Sequence, residues 1–324
     1  MTVLITGATG FVGGRLAKEI LASGLEVRLL VRSPEKAASL EYLGAKIIQG
    51  DLYDIESLQR ATDGIECVYH IAGQMIKEGL ARDDYLQTNL IGTRNIVQVS
   101  LDENVRRFVY ASTAGVYGHL KEPVDENSPL SLSSGYRESK ALGERVCLDA
   151  HREHGLPAVI ARLSPMMGPE SKQYLGLVRA LKSKNFRIIG DGENYDHISP
   201  IQDIINGLIL CGTTSGIEGE TFIIASDTQI KIKSILAKMA CAAGAEFPQR
   251  TLPSWPYILY TKLGEALYLK FGKELPYVYR YAFFLANKRL INNKAKERLG
   301  FSPCNDITDI INETVSQFRS ENLV

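Results

Sequence analysis

Cysteine is scarce. Five are scattered through 324 residues, at Cys67, Cys147, Cys211, Cys241 and Cys304, odd in number and never closely paired. That pattern supports neither a disulfide framework nor a zinc site, and it reads as reduced, buried thiols in a cytoplasmic protein. An excess of one charge is also missing. Thirty-seven basic and 37 acidic residues cancel, which gives no support for nucleic acid or an anionic membrane surface as the main partner. No run approaches the roughly 18 apolar residues that span a bilayer; the most hydrophobic stretch, 255–272, is interrupted by Lys262, Glu265 and Lys270. Met1 leads directly into the strand-like TVLIT, without the basic and apolar regions of a secretory signal. The five histidines form no convincing metal set; His151 and His154 share a helical face, where surface solvation is the simpler reading, and no metal is expected.

What is present is rhythm. Strand patterns at 2–6, 26–31, 45–49, 66–71, 107–112 and 157–162 alternate with helical patterns at 11–22, 35–43, 54–62, 83–102 and 134–154. Such alternation predicts βαβ units, hence an α/β fold of Rossmann type, a doubly wound parallel sheet covered by helices on both faces. Binding is then expected beyond the carboxyl ends of the strands, where the topology reverses. The length suggests about two units at roughly 100–200 residues each. We expect a dinucleotide-binding domain over 1–165, completed by about 201–227, and a smaller substrate-binding lobe from 166–200 and 228–324. After Pro165, residues 187–200 read as a strand and a polar turn, 201–212 as a helix and 219–227 as containing a strand. Residues 230–243 and 292–299 read as helices, the latter closed by Gly300. Aromatics concentrate between Trp255 and Phe284, fitting either a small core or an apolar pocket above the sheet.

The segment VLITGATGFVGGRLAKEIL sets Gly7, Gly10 and Gly13 between the first strand and the first helix. Glycine allows a tight turn, close approach of backbone to a pyrophosphate, and close packing of helix on strand. The helix N-terminus then presents unpaired N–H groups to phosphate. No Gly-Lys-Ser/Thr follows, so this is not a P-loop. An acidic residue about 20 positions on would hold the ribose of NAD. Arg32 stands there instead, with Lys36 nearby. A plain solvated loop cation is one reading; a guanidinium suited to a 2′-phosphate is the other, and it favours NADP(H) with NAD(H) possible.

Tyr-x-x-x-Lys occurs at Tyr42/Lys46, Tyr117/Lys121 and Tyr136/Lys140. The first straddles Gly44 and the second runs into Pro123. Only Tyr136/Lys140 lies in a helical pattern, where residues four apart share a face. A phenol, ordinarily near pKa 10, is a poor proton donor or acceptor at neutral pH. A neighbouring ammonium and the positive ring of an oxidised nicotinamide both favour the phenolate, and two or three units of lowering would bring Tyr136 near the range where acid–base catalysis works.

TGATGFVG, HIAG, NLIGTRNI, STAGVYG and YRESK follow one another over the first half of the chain, in the order and spacing of the extended short-chain dehydrogenase/reductases, which this half resembles. The resemblance implies a Tyr136/Lys140/Thr113 proton relay, with Ser112 as a neighbouring hydroxyl able to share Thr113's role, and Asn89 supporting the lysine through a helix kink and water. It implies cofactor contacts at Gly7, Thr9, Gly10, Phe11, Val12 and Gly13, at Asp51 and Leu52 after the third strand, and at Ala72, Tyr136, Lys140 and Pro165. Asp51 read by itself is equally a helix cap or turn residue. Gly73 departs from the alanine of many relatives.

The second half resembles the dihydroflavonol-reductase and 3β-hydroxysteroid-dehydrogenase branch in LPSWPYILYTKLGEAL and NNKAKERLGFSP. That branch implies a relatively apolar ketone or alcohol, met by Met166, Met167, Tyr174, Trp255 and later tyrosines. Many nucleotide-sugar enzymes of the family carry a diphosphate-binding arginine after GDG; here Tyr195 or Asp196 stands near that position, the wrong charge for a diphosphate. The leading expectation is thus an NADPH-linked reductase or dehydrogenase. The alternatives are a sugar epimerase or dehydratase without net redox and, further off, a binding protein that senses NADP(H). Relatives often dimerise through two long helices, here 83–102 and 134–154, so a homodimer acting on a small molecule is expected.

Overall fold

The computed structural model describes residues 1–118, 122–183 and 185–324. Its first strand, β1 (Thr2–Thr6), is buried from Val3 to Thr6. Burial on both faces is the signature of a strand inside a parallel sheet, where helices cover each side. Gly10 ends the turn after β1 and α1 follows (Phe11–Ala22). The chain then runs through β2 (Glu26–Val31), a 3₁₀ turn at Pro34–Ala37, α2 (Ala38–Tyr42), β3 (Lys46–Gln49), α3 (Ile55–Thr62) and β4 (Cys67–His70). Next come α4 (Arg82–Leu86), a π turn (Gln87–Gly92), α5 (Thr93–Asp102), β5 (Arg107–Thr113), α6 (Gly135–His154) and β6 (Ala158–Leu163).

These six strands lie in the order β3-β2-β1-β4-β5-β6, and Thr221–Ile224 adds a seventh beside β6. All pairings in this sheet are parallel. The chain leaves β1 toward β2 and β3, then returns to the other side of β1 as β4. That reversal opens a crevice at the carboxyl ends of β1 and β4. On one face, Leu16 and Ile20 of α1 pack with Ile204 and Leu208 of the helix Ile201–Thr213 against Val3 and Ile5. On the other, Leu58, Ile96 and Cys147 from α3, α5 and α6 cover Leu4 and Val68. Each face therefore has its own apolar layer.

The remaining helices are α7 (Leu175–Leu181), α8 (the helix Ile201–Thr213), α9 (Ile232–Ala243), α10 (Trp255–Phe271), α11 (Val278–Leu285), α12 (Asn293–Leu299) and α13 (Ile307–Ser320). Val178, Ile235, Met239, Ile311, Val315 and Phe318 of α7, α9 and α13 build a third apolar cluster beside the sheet.

Several expectations need correction. Cys241 and Cys304 are exposed, so only Cys67, Cys147 and Cys211 are buried thiols. Residues 187–200 form no continuous strand, only two-residue pairings at 188–189, 195–196 and 199–200. Their partners are separate segments, at 251–252, 230–231 and 166–167, and the 187–200 pattern contains no trace of them. The helical run 83–102 is interrupted by its π turn, where Thr93 Oγ1 donates to the Asn89 carbonyl at 2.8 Å. Such bulges interrupt the ordinary ladder and commonly mark functional positions. The aromatic stretch 255–284 is a pair of helices that divides between the two expectations: α10 is largely exposed, whereas Tyr279 and Phe283 of α11 line a cavity and Phe283 and Phe284 pack on the third apolar cluster.

The layer between α6 and β5 is packed to contact. A methyl group at Gly143 would lie 2.2 Å from the Tyr110 hydroxyl and 2.9 Å from the Asn89 carbonyl oxygen. Gly143→Ala must therefore push α6 off β5 and off the π turn. We expect it to destabilise the fold by about 1–3 kcal/mol, visible as a lower midpoint in thermal or urea unfolding; an unchanged midpoint would contradict this packing.

Candidate active site

A cavity of about 1050 Å³ opens over the carboxyl ends of β1 and β4. Gly7, Thr9, Gly10, Phe11, Val12 and Gly13 form one end of it, and Arg32, Asp51, Leu52, Ala72 and Pro165 line it further along. Tyr136, Lys140 and Thr113 reach the same space. Two named residues do not. Lys36 lies in the 3₁₀ turn after Arg32, and Asn89 is buried behind the wall.

The glycine end has the shape of a cradle. Gly7 has φ +75°, and a Cβ there would sit 2.6 Å from the Ala72 amide nitrogen; one at Gly13 would sit 2.4 Å from the Gly7 carbonyl oxygen. Side chains would separate β1, α1 and the loop after β4. Gly10 caps α1 without any side-chain bond to its first amides, so the chain leaves those donors to another acceptor. These residues fit a dinucleotide pyrophosphate. Arg32 follows the end of β2 and is exposed into the cavity. Asp51 shares the lining, but its Oδ1 also accepts from the Tyr53 amide at 3.1 Å, an Asx turn. The cap of α3 is Asp54, which accepts from the Ser57 amide at 3.2 Å.

At the other end, Ser134 caps α6 by accepting from the Arg137 amide at 3.3 Å. Tyr136 is thereby set in the first turn and Lys140 one turn on, both nearly fully buried. Thr113, the last residue of β5, lies beside Tyr136 and favours the ionised form of its phenol; its Oγ1 accepts from the Gly115 amide at 3.0 Å. Ser112 is removed from contention. Its hydroxyl donates to Glu144, which also receives Arg162 through Nε at 3.0 Å and Nη2 at 2.8 Å. Arg162 Nη1 in turn donates to the Tyr117 hydroxyl at 2.7 Å. Tyr117 is thus a partner of that buried pair; Lys121, its companion in the spacing, lies outside the described residues. Tyr42 ends α2 exposed on the surface, and Lys46 opens β3.

Asn89 stands in the π turn as a fastener. Its Oδ1 accepts from the Gln74 amide at 2.7 Å, and its Nδ2 donates to the Gln74 carbonyl at 3.1 Å and to Ser139 Oγ at 2.9 Å. Ser139 donates to the Tyr136 carbonyl at 2.9 Å. The loop after β4 is so joined to the helix that carries Tyr136 and Lys140. Gly73 has a physical reason here, since a methyl group would stand 3.0 Å from Asn89 Oδ1 and 3.7 Å from Lys140 Nζ.

The sequence patterns carried no role for Gln74, Met75, Ser139 or His70. Met75 Sδ lies 3.6 Å from the Tyr136 hydroxyl. His70 Nδ1 pairs with Thr6 Oγ1 at 2.8 Å and Nε2 with Thr93 Oγ1 at 3.0 Å, tying β1 to α5. Burial drives its pKa down to about 3, so it is neutral at physiological pH. Its place as the last residue of β4 was the available signal. On the substrate side, Met166, Tyr174, Tyr279 and Phe283 line the cavity, whereas Met167 is packed in the core and Trp255 faces outward. Asp196 is in the wall, neutralised by Lys288 at 3.2 Å, and Arg289 lines the same wall. Cations absent near positions 195–196 of the sequence thus arrive from a distant segment.

Burial dominates the electrostatics of the Tyr136/Lys140 pair. It raises Tyr136 to about 12, opposed in part by Thr113. Burial also lowers Lys140 to about 8, with Glu144 acting the other way. Lys140 Nζ sits 4.2 Å from the centre of the Tyr110 ring. Desolvation disfavours the charged form of each group, which raises the phenol and lowers the ammonium.

A testable consequence concerns Lys140 alone. Its folded pKa is about 8, against an ordinary 10.5, so between those values the unfolded chain binds more protons and stability rises with pH. Relative to Lys140→Met, the wild type should therefore gain stability from pH 8 to 10.5. Unfolding midpoints of both proteins across that window measure it, and parallel curves would contradict the buried, destabilised ammonium.

Comparison with known proteins agrees with this geometry. A ketoreductase of Stigmatella aurantiaca, named for 4-hydroxy-2-methyl-3-oxo-4-farnesyl-3,4-dihydroquinoline-1-oxide, is 26% identical over 93% of this chain and 92% of its own. A dTDP-glucose 4,6-dehydratase of Streptomyces niveus is 26% identical over 98% of this chain and 93% of its own. The crystal structure of a UDP-glucuronic acid 4-epimerase from Bacillus cereus in complex with NAD has a TM-score of 0.80. It covers 99% of both chains at 21% identity, a likeness of fold. Residues 3–225 match the NAD dependent epimerase/dehydratase family. With a glycine cradle, a Tyr/Lys pair and a seven-stranded parallel sheet in one arrangement, the chain belongs to that family, among the extended short-chain dehydrogenase/reductases.

Proposed function

We propose that the protein is an NADP(H)-dependent oxidoreductase acting on a relatively apolar ketone or secondary alcohol. The observation that carries this reading is the convergence of Tyr136, Thr113 and Lys140 on one cavity with the glycine cradle at its other end. The bound nicotinamide would supply hydride to a carbonyl carbon, or accept it from an alcohol. Tyr136 Oη, buried and therefore protonated at neutral pH, gives its proton to the developing alkoxide. Thr113 Oγ1 donates a hydrogen bond to the same oxygen. Lys140 holds the cofactor's ribose and stabilises the phenolate left behind; Asn89 positions the α6 backbone through Ser139 and Gln74. Arg32 supports the 2′-phosphate form of the cofactor, with Asp51 and Leu52 toward its adenine. Residues 166–200 and 228–324 enclose the substrate end, where Met166, Tyr174 and Phe283 make part of the wall apolar.

The match to the epimerase/dehydratase family supports a second reading, a nucleotide-sugar substrate, with Lys288 and Arg289 in the cavity wall although Lys288 already pairs with Asp196. In that case the same Tyr136 and Lys140 would serve an epimerase or dehydratase without net consumption of cofactor. A homodimer through the helices 83–102 and 134–154 accompanies either reading, and a mass measurement in solution checks it.

Tyr136→Phe should lower kcat by about 10²- to 10⁴-fold while leaving cofactor affinity nearly unchanged. Substantial residual turnover would remove the tyrosine from its role. Arg32→Ala should raise the KM for NADPH by about 10- to 100-fold and alter that for NADH little. An equal effect on both cofactors would make Arg32 a plain surface cation. Screening apolar ketones and nucleotide sugars for net NADPH oxidation separates the two readings.

A further inference from the structure

Helix α10 turns a row of large apolar side chains to solvent. Its inner face carries the buried Thr261, Gly264 and Tyr268. Its outer face carries Trp255 (68% exposed), Leu259 (64%), Leu263 (51%) and Leu269 (67%), and Phe271 (58%) prolongs it. An exposed apolar patch of this kind marks an interaction surface. Charge on the segment is sorted as well. Lys262, Lys270 and Lys273 are exposed. The two carboxylates of residues 255–284 turn inward: Glu265 accepts from Arg137 at 3.0 Å, and Glu274 accepts from the Gly135 amide at 2.7 Å.

We infer that this face lies on an anionic phospholipid bilayer. The 17-residue helix is about 25 Å long, and no helix among the described residues is long and apolar enough to cross a membrane. It suits the plane of the interface instead, with tryptophan and leucine in the acyl boundary and lysines among the headgroups. Charge complementarity selects the occupant, because the outer face bears ammonium groups and no carboxylate. Zero net charge over the whole chain hides this local excess. From α10 the chain turns through Gly272 into α11, whose Tyr279 and Phe283 line the substrate end of the cavity, so the same face would bring the cavity near dissolved apolar molecules. The docking itself is independent of the catalytic reading.

Trp255 is the sole tryptophan and serves as the probe. With the full-length protein, phosphatidylglycerol vesicles should shift its emission to shorter wavelength and carry the protein into the pellet on centrifugation; pure phosphatidylcholine vesicles should do so far less. Lys262→Gln and Lys270→Gln should each weaken binding by about fivefold, and Leu259→Ser should weaken it further. Cofactor binding by each variant reports that it is folded. An unshifted emission, equal binding to uncharged vesicles, or a Trp255 shift that follows protein concentration and dimer mass without lipid would overturn the assignment. The last outcome would make the face a contact between copies.

Discussion

A lysine ammonium kept almost entirely out of water underlies the arrangement of the catalytic half of this molecule. Burying such a group is costly unless its surroundings hold it in place. Here Lys140 lies over the Tyr110 ring, with Glu144 one turn further along α6. Close contact of α6 with β5 makes that possible, and the absence of a side chain at Gly143 makes the contact possible in turn. The π turn then brings Asn89 across to Ser139, so the helix cannot retreat from the loop after β4. Tyr136 inherits its position from this packing.

Deeper in, a second buried charge pair performs a structural task. Glu144 takes three bonds from Arg162 and one from Ser112, and Arg162 also fastens Tyr117. Removing either partner would leave an uncompensated charge in the interior. Because Ser112 is committed there, its neighbour Thr113 alone faces Tyr136. Alternation along a strand thus separates two adjacent hydroxyls into different roles.

The C-terminal helices show the same economy of placement on a larger scale. The residues whose sequence reads as one aromatic cluster divide three ways. Tyr279 and Phe283 enter the cavity, Tyr268 closes against Glu138, and Trp255 with its leucines remains outside. Overall neutrality likewise conceals a segment whose lysines point outward and whose carboxylates are turned inward.

Local chemistry by itself determined the alternation of strand and helix, the glycine cradle, and the helical spacing that sets Tyr136/Lys140 apart from the other two pairs. These are short-range properties, set by backbone freedom at glycine, a two-residue strand period and a four-residue helical neighbourhood. Only the tertiary structure decided that burial acts on both groups, raising the Tyr136 phenol and lowering the Lys140 ammonium, since desolvation depends on what packs around a group. It alone delivered Lys288 and Arg289 to the cavity, split the run 83–102 at a π turn, and turned Trp255 to solvent. Each of those outcomes depends on partners distant in the chain, and neither spacing nor composition records them.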